Sequence, residues 1–135
     1  MTQDEALKHL RYFSELYRDK LSFCIETFEG KRRVFTPDEI ISFNLPMTLD
    51  TSHIKDDAKL WSLIHDYRNN ILTVHLSARN GSKQHQPIDE FCIKIVKKLI
   101  EYHWNGNVIL EYLFEFHDQL LEDLELLESI QQKII

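Results

Sequence analysis

Apolar residues recur at intervals of three and four along most of the chain, the spacing that keeps one face of a helix apolar. Over residues 2–28, Ala6, Leu10, Phe13, Leu16, Tyr17, Leu21, Cys24 and Phe28 follow this rhythm. Thr2 with Glu5 three residues on forms a capping box and Gly30 supplies a stop, so a first long helix is predicted there. Thr36-Pro37-Asp38-Glu39 joins a cap, a helix-starting proline and an acid, which predicts a short helix through Ser42. Residues 44–51, interrupted by Pro46, read as a connection.

The stripe Leu60, Ile64, Tyr67, Ile71, Val74 and Ala78 predicts a second long helix over 52–79, closed by Asn80-Gly81. A polar insert over 82–86 and Pro87 precede a third helix over 88–104, which carries Phe91, Ile95, Leu99 and Tyr102 and is broken by Asn105-Gly106-Asn107. The last helix is predicted over 108–134, where Leu110, Leu113, His117, Leu120, Leu124 and Leu127 form a short seam of coiled-coil type between acidic faces. Four long amphipathic helices and a short one predict an all-α fold: an antiparallel four-helix bundle with an additional short helix, one domain over 1–135. Only three Gly and three Pro in 135 residues agree with that class.

Composition narrows the chemistry. Cys24 and Cys92 sit inside apolar patterns, as buried free thiols of a reducing compartment do. Acids at the start of the chain and the lack of a long apolar run speak against a secretory leader or a membrane span, so the expected location is cytoplasmic. A net charge of -6 excludes a whole-surface sink for nucleic acid and confines any RNA contact to a local patch. No glycine-rich phosphate loop, dinucleotide fingerprint or local nucleophile–base pattern is present, so no cofactor is expected. His9, His53, His65, His85, His103 and His117 show no paired spacing with Cys or carboxylates, and no metal is expected either. Asp56-Asp57 read as complements of a helix dipole, and Trp61 and Trp104 as packing residues.

The chemically suggestive run is Arg68-Asn69-Asn70-Ile71-Leu72-Thr73-Val74-His75. On a helix, seven residues make nearly two turns, so guanidinium and imidazole would share a face and suit a phosphodiester. Lys31, Arg32 and Arg33, with Arg79 and Lys83, are the candidate contacts to an RNA backbone.

Preceded by Leu60-Trp61 and Ile64, the segment Tyr67 to His75 resembles the motif of the HEPN superfamily: an Arg, a polar residue and a spacer before His, on a helix of an all-α bundle. The resemblance implies a homodimer with both motifs in one cleft and metal-independent cleavage of RNA. His75 would be general acid or base, Arg68 would orient the phosphate and offset its charge, and Asn69 would support them. It also implies a toxin or antiviral effector, with a protein inhibitor or antitoxin as a further partner. Where many toxin members carry Tyr two residues beyond the His, this chain has Ser77, so regulation through that Tyr is not expected. The competing expectation is a noncatalytic helical module whose acidic C-terminal helix binds a basic or helical protein.

Overall fold

A computed structural model describes residues 1–28 and 34–134. The chain forms α1 (Gln3–Tyr17), β1 (Ile25–Glu26), α2 (Pro37–Ser42), β2 (Met47–Asp50), α3 (Asp57–Tyr67), β3 (Ile71–Leu76), β4 (Ala78–Asn80), β5 (Lys83–Gln86), α4 (Glu90–Glu101), β6 (Asn107–Leu110), a 3-10 helix (Phe114–Gln119) and α5 (Leu120–Ile134). The fold is therefore mixed α/β, and the expected all-α four-helix bundle is corrected. The HEPN-like bundle that the resemblance implies is not the architecture formed.

Helix starts follow local capping. Thr2 Oγ1 accepts from Glu5 N at 3.2 Å while Glu5 Oε2 accepts from Thr2 N at 2.8 Å, and Thr36 with Glu39 repeats the arrangement ahead of α2. Asp89 caps α4 by accepting from Cys92 N at 3.0 Å, and Asp56 caps α3 by accepting from Ala58 N at 2.9 Å. Three of the predicted helix beginnings match to within two residues, whereas α3 starts at Asp57 rather than 52.

Helix ends are where the predicted bundle fails. The first helix stops at Tyr17, and residues 25–26 are strand. The predicted 52–79 helix ends at Tyr67, turns through Arg68 to Asn70, and continues as β3. The predicted 108–134 helix is strand, then 3-10, then α. Ile71, Thr73, Val74, Val108 and Ile109 are β-branched residues in short apolar runs, and such runs fit a buried strand as well as a helical stripe.

The main sheet is parallel, with spatial order β1-β2-β3-β6. Consecutive parallel strands added in one direction with right-handed crossovers carry their helices on one face. Met47, Leu49, Val74 and Leu76 bury that face against Ile40, Leu60, Leu63, Ile64, Ile95 and Leu99, all nearly inaccessible. The opposite face carries Glu26, Thr48, Asp50, Thr73 and His75, which the register places side by side. β4 and β5 form a separate antiparallel hairpin between β3 and α4.

The entry to β6 is tight. Trp104 Nε1 donates to the Ile71 carbonyl at 2.8 Å, laying the indole across Gly106. A Cβ at Gly106 would come 2.0 Å from the Trp104 ring and 2.5 Å from the Leu72 carbonyl oxygen. Gly106→Ala therefore lowers stability by about 1–3 kcal/mol, as overpacking of a filled site does; the midpoint of urea unfolding measures it, and an unchanged midpoint would refute the tight entry.

Candidate metal centre

In an open parallel sheet, ligands gather at the carboxyl ends of the strands. Here four strands deliver ligand-type side chains to that edge. Glu26 ends β1, Asp50 ends β2, His75 is next to last in β3, and Glu111 follows β6 directly. The register sets Asp50 beside His75, and Glu111 N donates to the Leu76 carbonyl at 3.3 Å. One ligand atom from each of these four lies within 4.8 Å of the others.

Asp50 is the centre of the site and fully buried. Its Oδ1 accepts from Ser52 N and Ser52 Oγ, both at 2.9 Å, and from His53 N at 3.2 Å. Its backbone N donates to Thr27 Oγ1 at 3.0 Å. One oxygen is thus saturated by the following turn, while Oδ2 has no hydrogen-bond partner. Among the described residues, His75 Nδ1 and Glu111 Oε2 are buried without a hydrogen bond as well. They stand 2.8 Å apart, so the contact is close but poorly directed for hydrogen bonding. Buried polar atoms left in this state cost stability unless something binds them. Three of them converge on one point.

A second group adjoins the first through Asp50. His53 and His85 complete it, with ligand atoms again within 4.8 Å. His53 Nδ1 is 2.8 Å from the Thr27 carbonyl oxygen, which only accepts, so Nδ1 carries the proton and Nε2 presents a lone pair. This is the carbonyl-oriented imidazole that metal sites use. His85 Nε2 lies 3.3 Å from His53 Nε2. Two nitrogens each about 2.0–2.1 Å from a tetrahedral zinc stand roughly 3.3 Å apart, so the spacing suits one shared ion. Ser52 Oγ, having donated to Asp50, can accept from His85 Nδ1 at 3.5 Å and hold the matching tautomer. His85 takes a left-handed backbone conformation with φ 54°, which few residues other than glycine adopt and which is held by the hairpin around it.

The electrostatics suit a cation. Glu26 is surrounded by Asp50 and Glu111, and burial, reinforced by those carboxylates against the two nearby histidines, pushes its carboxyl above the ordinary 4.5. Three carboxylate donors and an imidazole suit Mn²⁺, Mg²⁺, Fe²⁺, Co²⁺ or Zn²⁺, whereas the two-imidazole group favours zinc-like ions. The chain therefore holds residues fit for a divalent ion, although the sequence pattern led to no metal being expected.

The other expected site residues fall elsewhere. Arg68 caps the end of α3, where Nη1 donates to the His65 carbonyl and the guanidinium lies 4.6 Å from the Tyr102 ring centre. Asn69 lies in the following turn and lines a cleft of about 290 Å³ with Arg68 and Tyr102. From Ile71 to His75 the strand advances roughly 13 Å, so Arg68 and Asn69 stand at the opposite end of β3 from His75. The shared helical face on which that trio depended is corrected. Arg79 is engaged by carbonyls, donating from Nη1 to Ser52 and from Nε to Gly81 at 2.7 Å each, and so ties the hairpin to the Asp50 turn. Lys83 is exposed on β5. Lys31, Arg32 and Arg33 lie outside the described residues. His117 is in the 3-10 helix against Phe114 rather than on a long helical seam. The Cys92 thiol, pushed up to about 12 by burial, is inert packing as expected.

Sequence inspection missed Glu26, Asp50, His53, His85 and Glu111. A signal was present: the apolar runs ending at Ile25, Leu49, Val74 and Leu110 are each followed at once by an acid or a histidine. No protein-family model, curated protein or solved structure matches the chain.

Mn²⁺ or Zn²⁺ at 100 times its Kd stabilises the protein by about 2.7 kcal/mol, an upward shift of Tm on the order of 5–10 °C. Asp50→Asn keeps the Oδ1 acceptor and removes the charge; it is expected to fold, to be at least as stable as wild type without metal, and to lose the metal-induced shift. A full shift in the folded variant would remove Asp50 from the site.

The raised Glu26 carboxyl gives a second expectation. A group protonated more readily when folded lends stability below its ordinary value of 4.5 and loses it as pH rises through the raised one. Metal-free Glu26→Gln is therefore more stable than wild type near pH 8, with the gap closing below about pH 4. Parallel Tm–pH curves for the two proteins would contradict it.

Proposed function

We propose that the chain is a metal-dependent hydrolase of phosphate esters, with Glu26, Asp50, His75 and Glu111 holding one divalent ion and Asp50, His53 and His85 a second. The observation that carries this reading is the sharing of buried Asp50 by the two donor groups. Two ions held by donor groups that share a carboxylate would supply an activated water and offset the charge of a phosphoryl group. The protein's part is to hold the donors in place: Ser52 and His53 N fix Asp50, Thr27 fixes the His53 tautomer, and Arg79 fixes the hairpin that brings His85. RNA stays among the candidate substrates, since local cations are what an acidic chain needs to accept a polyanion.

A second reading draws on the His53–His85 contact. With only the four-donor group filled, His85 donates from Nε2 to His53 Nε2, and the pair becomes a proton relay beside one ion. Such a site suits moving a proton next to the carbonyl of a hydroxy-carbonyl compound.

Metal stoichiometry and activity separate these readings. Two ions per chain, with hydrolysis of bis(p-nitrophenyl) phosphate or an RNA oligonucleotide that EDTA abolishes, are expected. His85→Ala should lower kcat by about 10²–10⁴-fold, the range for loss of a group acting on the reacting centre. One ion per chain and no hydrolysis would favour the proton-relay reading. RNA cleavage that persists in EDTA would instead return the chemistry to metal-free acid–base catalysis by His75. No activity on either class, with no metal bound, would leave the acidic α5 as a protein-binding face.

A further inference from the structure

We infer that two copies of this chain pair edge to edge, β6 of each against β1 of the other, and close one eight-stranded parallel barrel. Among the described residues, the two outer strands each have a single hydrogen-bonded neighbour. Ile25 N and Thr27 N donate to the Pro46 and Thr48 carbonyls, so the Glu26 amide between them points away from the sheet. At the other edge Glu111 N donates to Leu76, so by alternation Val108 N–H and Leu110 N–H point outward. Both edges belong to one parallel sheet, so a two-fold axis along the strand direction lays β6 of one copy parallel to β1 of the other, twice. Eight parallel strands with all helices outside is a closed arrangement that leaves no edge.

Three further features favour a second copy as the occupant. Parallel sheets occur almost only with both faces covered, and here Glu26, Thr48, Asp50, Thr73 and His75 share the face opposite the apolar one. Large apolar side chains are exposed beside each edge: Phe13 and Leu16 on α1, which flanks β1, and Leu121 and Leu124 on α5, which flanks β6. Charge disfavours one alternative pairing. α5 carries Glu122, Asp123, Glu125 and Glu128 against one Lys133, so α5 against α5 would set like charges together, whereas α1 is less acidic, with Lys8 and Arg11 set among Asp4, Glu5 and Glu15. In the closed barrel the two donor clusters would lie at the same mouth.

Analytical ultracentrifugation from 1 to about 200 μM in EDTA tests this without reference to metal, so a failed metal assay and a failed dimer assay are separate results. The expected species has twice the 16.2 kDa of the chain. Val108→Pro removes an outward N–H that β3 does not use, a substitution edge strands tolerate, and should weaken the dimer at least tenfold. Leu121→Lys, at a side chain 67% exposed, should do the same with circular dichroism unchanged. A monomer throughout the range would overturn the proposal and assign the open face to another chain. A dimer indifferent to Val108→Pro would overturn the edge pairing.

Discussion

The register of β2 against β3, which sets Asp50 beside His75, is the constraint on which the rest of the molecule depends. Parallel pairing needs a crossover for every added strand, and each crossover here carries a helix, so the helices lie on one face by necessity. The same geometry makes every strand end at the same edge. Ligand-type residues at the ends of four strands are thereby brought within 4.8 Å although they are up to 85 positions apart in sequence, from Glu26 to Glu111.

That convergence works against stability. Glu26, Asp50 and Glu111 repel one another, three buried polar atoms of the cluster have no hydrogen bond among the described residues, and His85 sits in an unfavourable backbone conformation. The opposing terms come from the packed side of the sheet, where Leu49, Val74, Ile64 and Ile95 are almost wholly excluded from water. Each buried side chain of this size contributes about 1.5–3 kcal/mol. The end of β2 is braced by hydrogen bonds, Thr27 Oγ1 accepting from Asp50 N, Thr51 Oγ1 donating to the Ser77 carbonyl and Ser52 Oγ donating to Asp50 Oδ1, so the donors keep their places before any ion arrives. The hairpin is tied in by Arg79, a residue whose charge suggested RNA contact and whose bonds show a scaffolding task.

Open edges complete the same logic. A sheet with a polar functional face and two unpaired outer strands is stable only to the extent that its other face is well packed. Tyr112, whose hydroxyl donates to buried Asp123 and accepts from Ile88 N, anchors the segment after β6 and with it Glu111. The site is thus built on strand ends and braced turns rather than on one helix, which is why Arg68 and His75, close in sequence, do not meet.

Local chemistry was legible directly: the capping box at Thr2, the Thr36 cap with its proline and the inert burial of Cys92 depend on neighbours within a few residues, and the sequence determined them. It also put Ile71 and Val74 on an apolar stripe, and both are buried. Whether that stripe became helix or strand was decided only by tertiary structure. An apolar run of only four to six residues fits a buried strand as well as a segment of a helix, and a strand's backbone groups are satisfied only by other strands far away in the chain. The metal-ligating set was undetermined for the same reason: a cluster drawn from five segments has no sequence spacing, and its geometry exists only once parallel pairing has put the strand ends side by side.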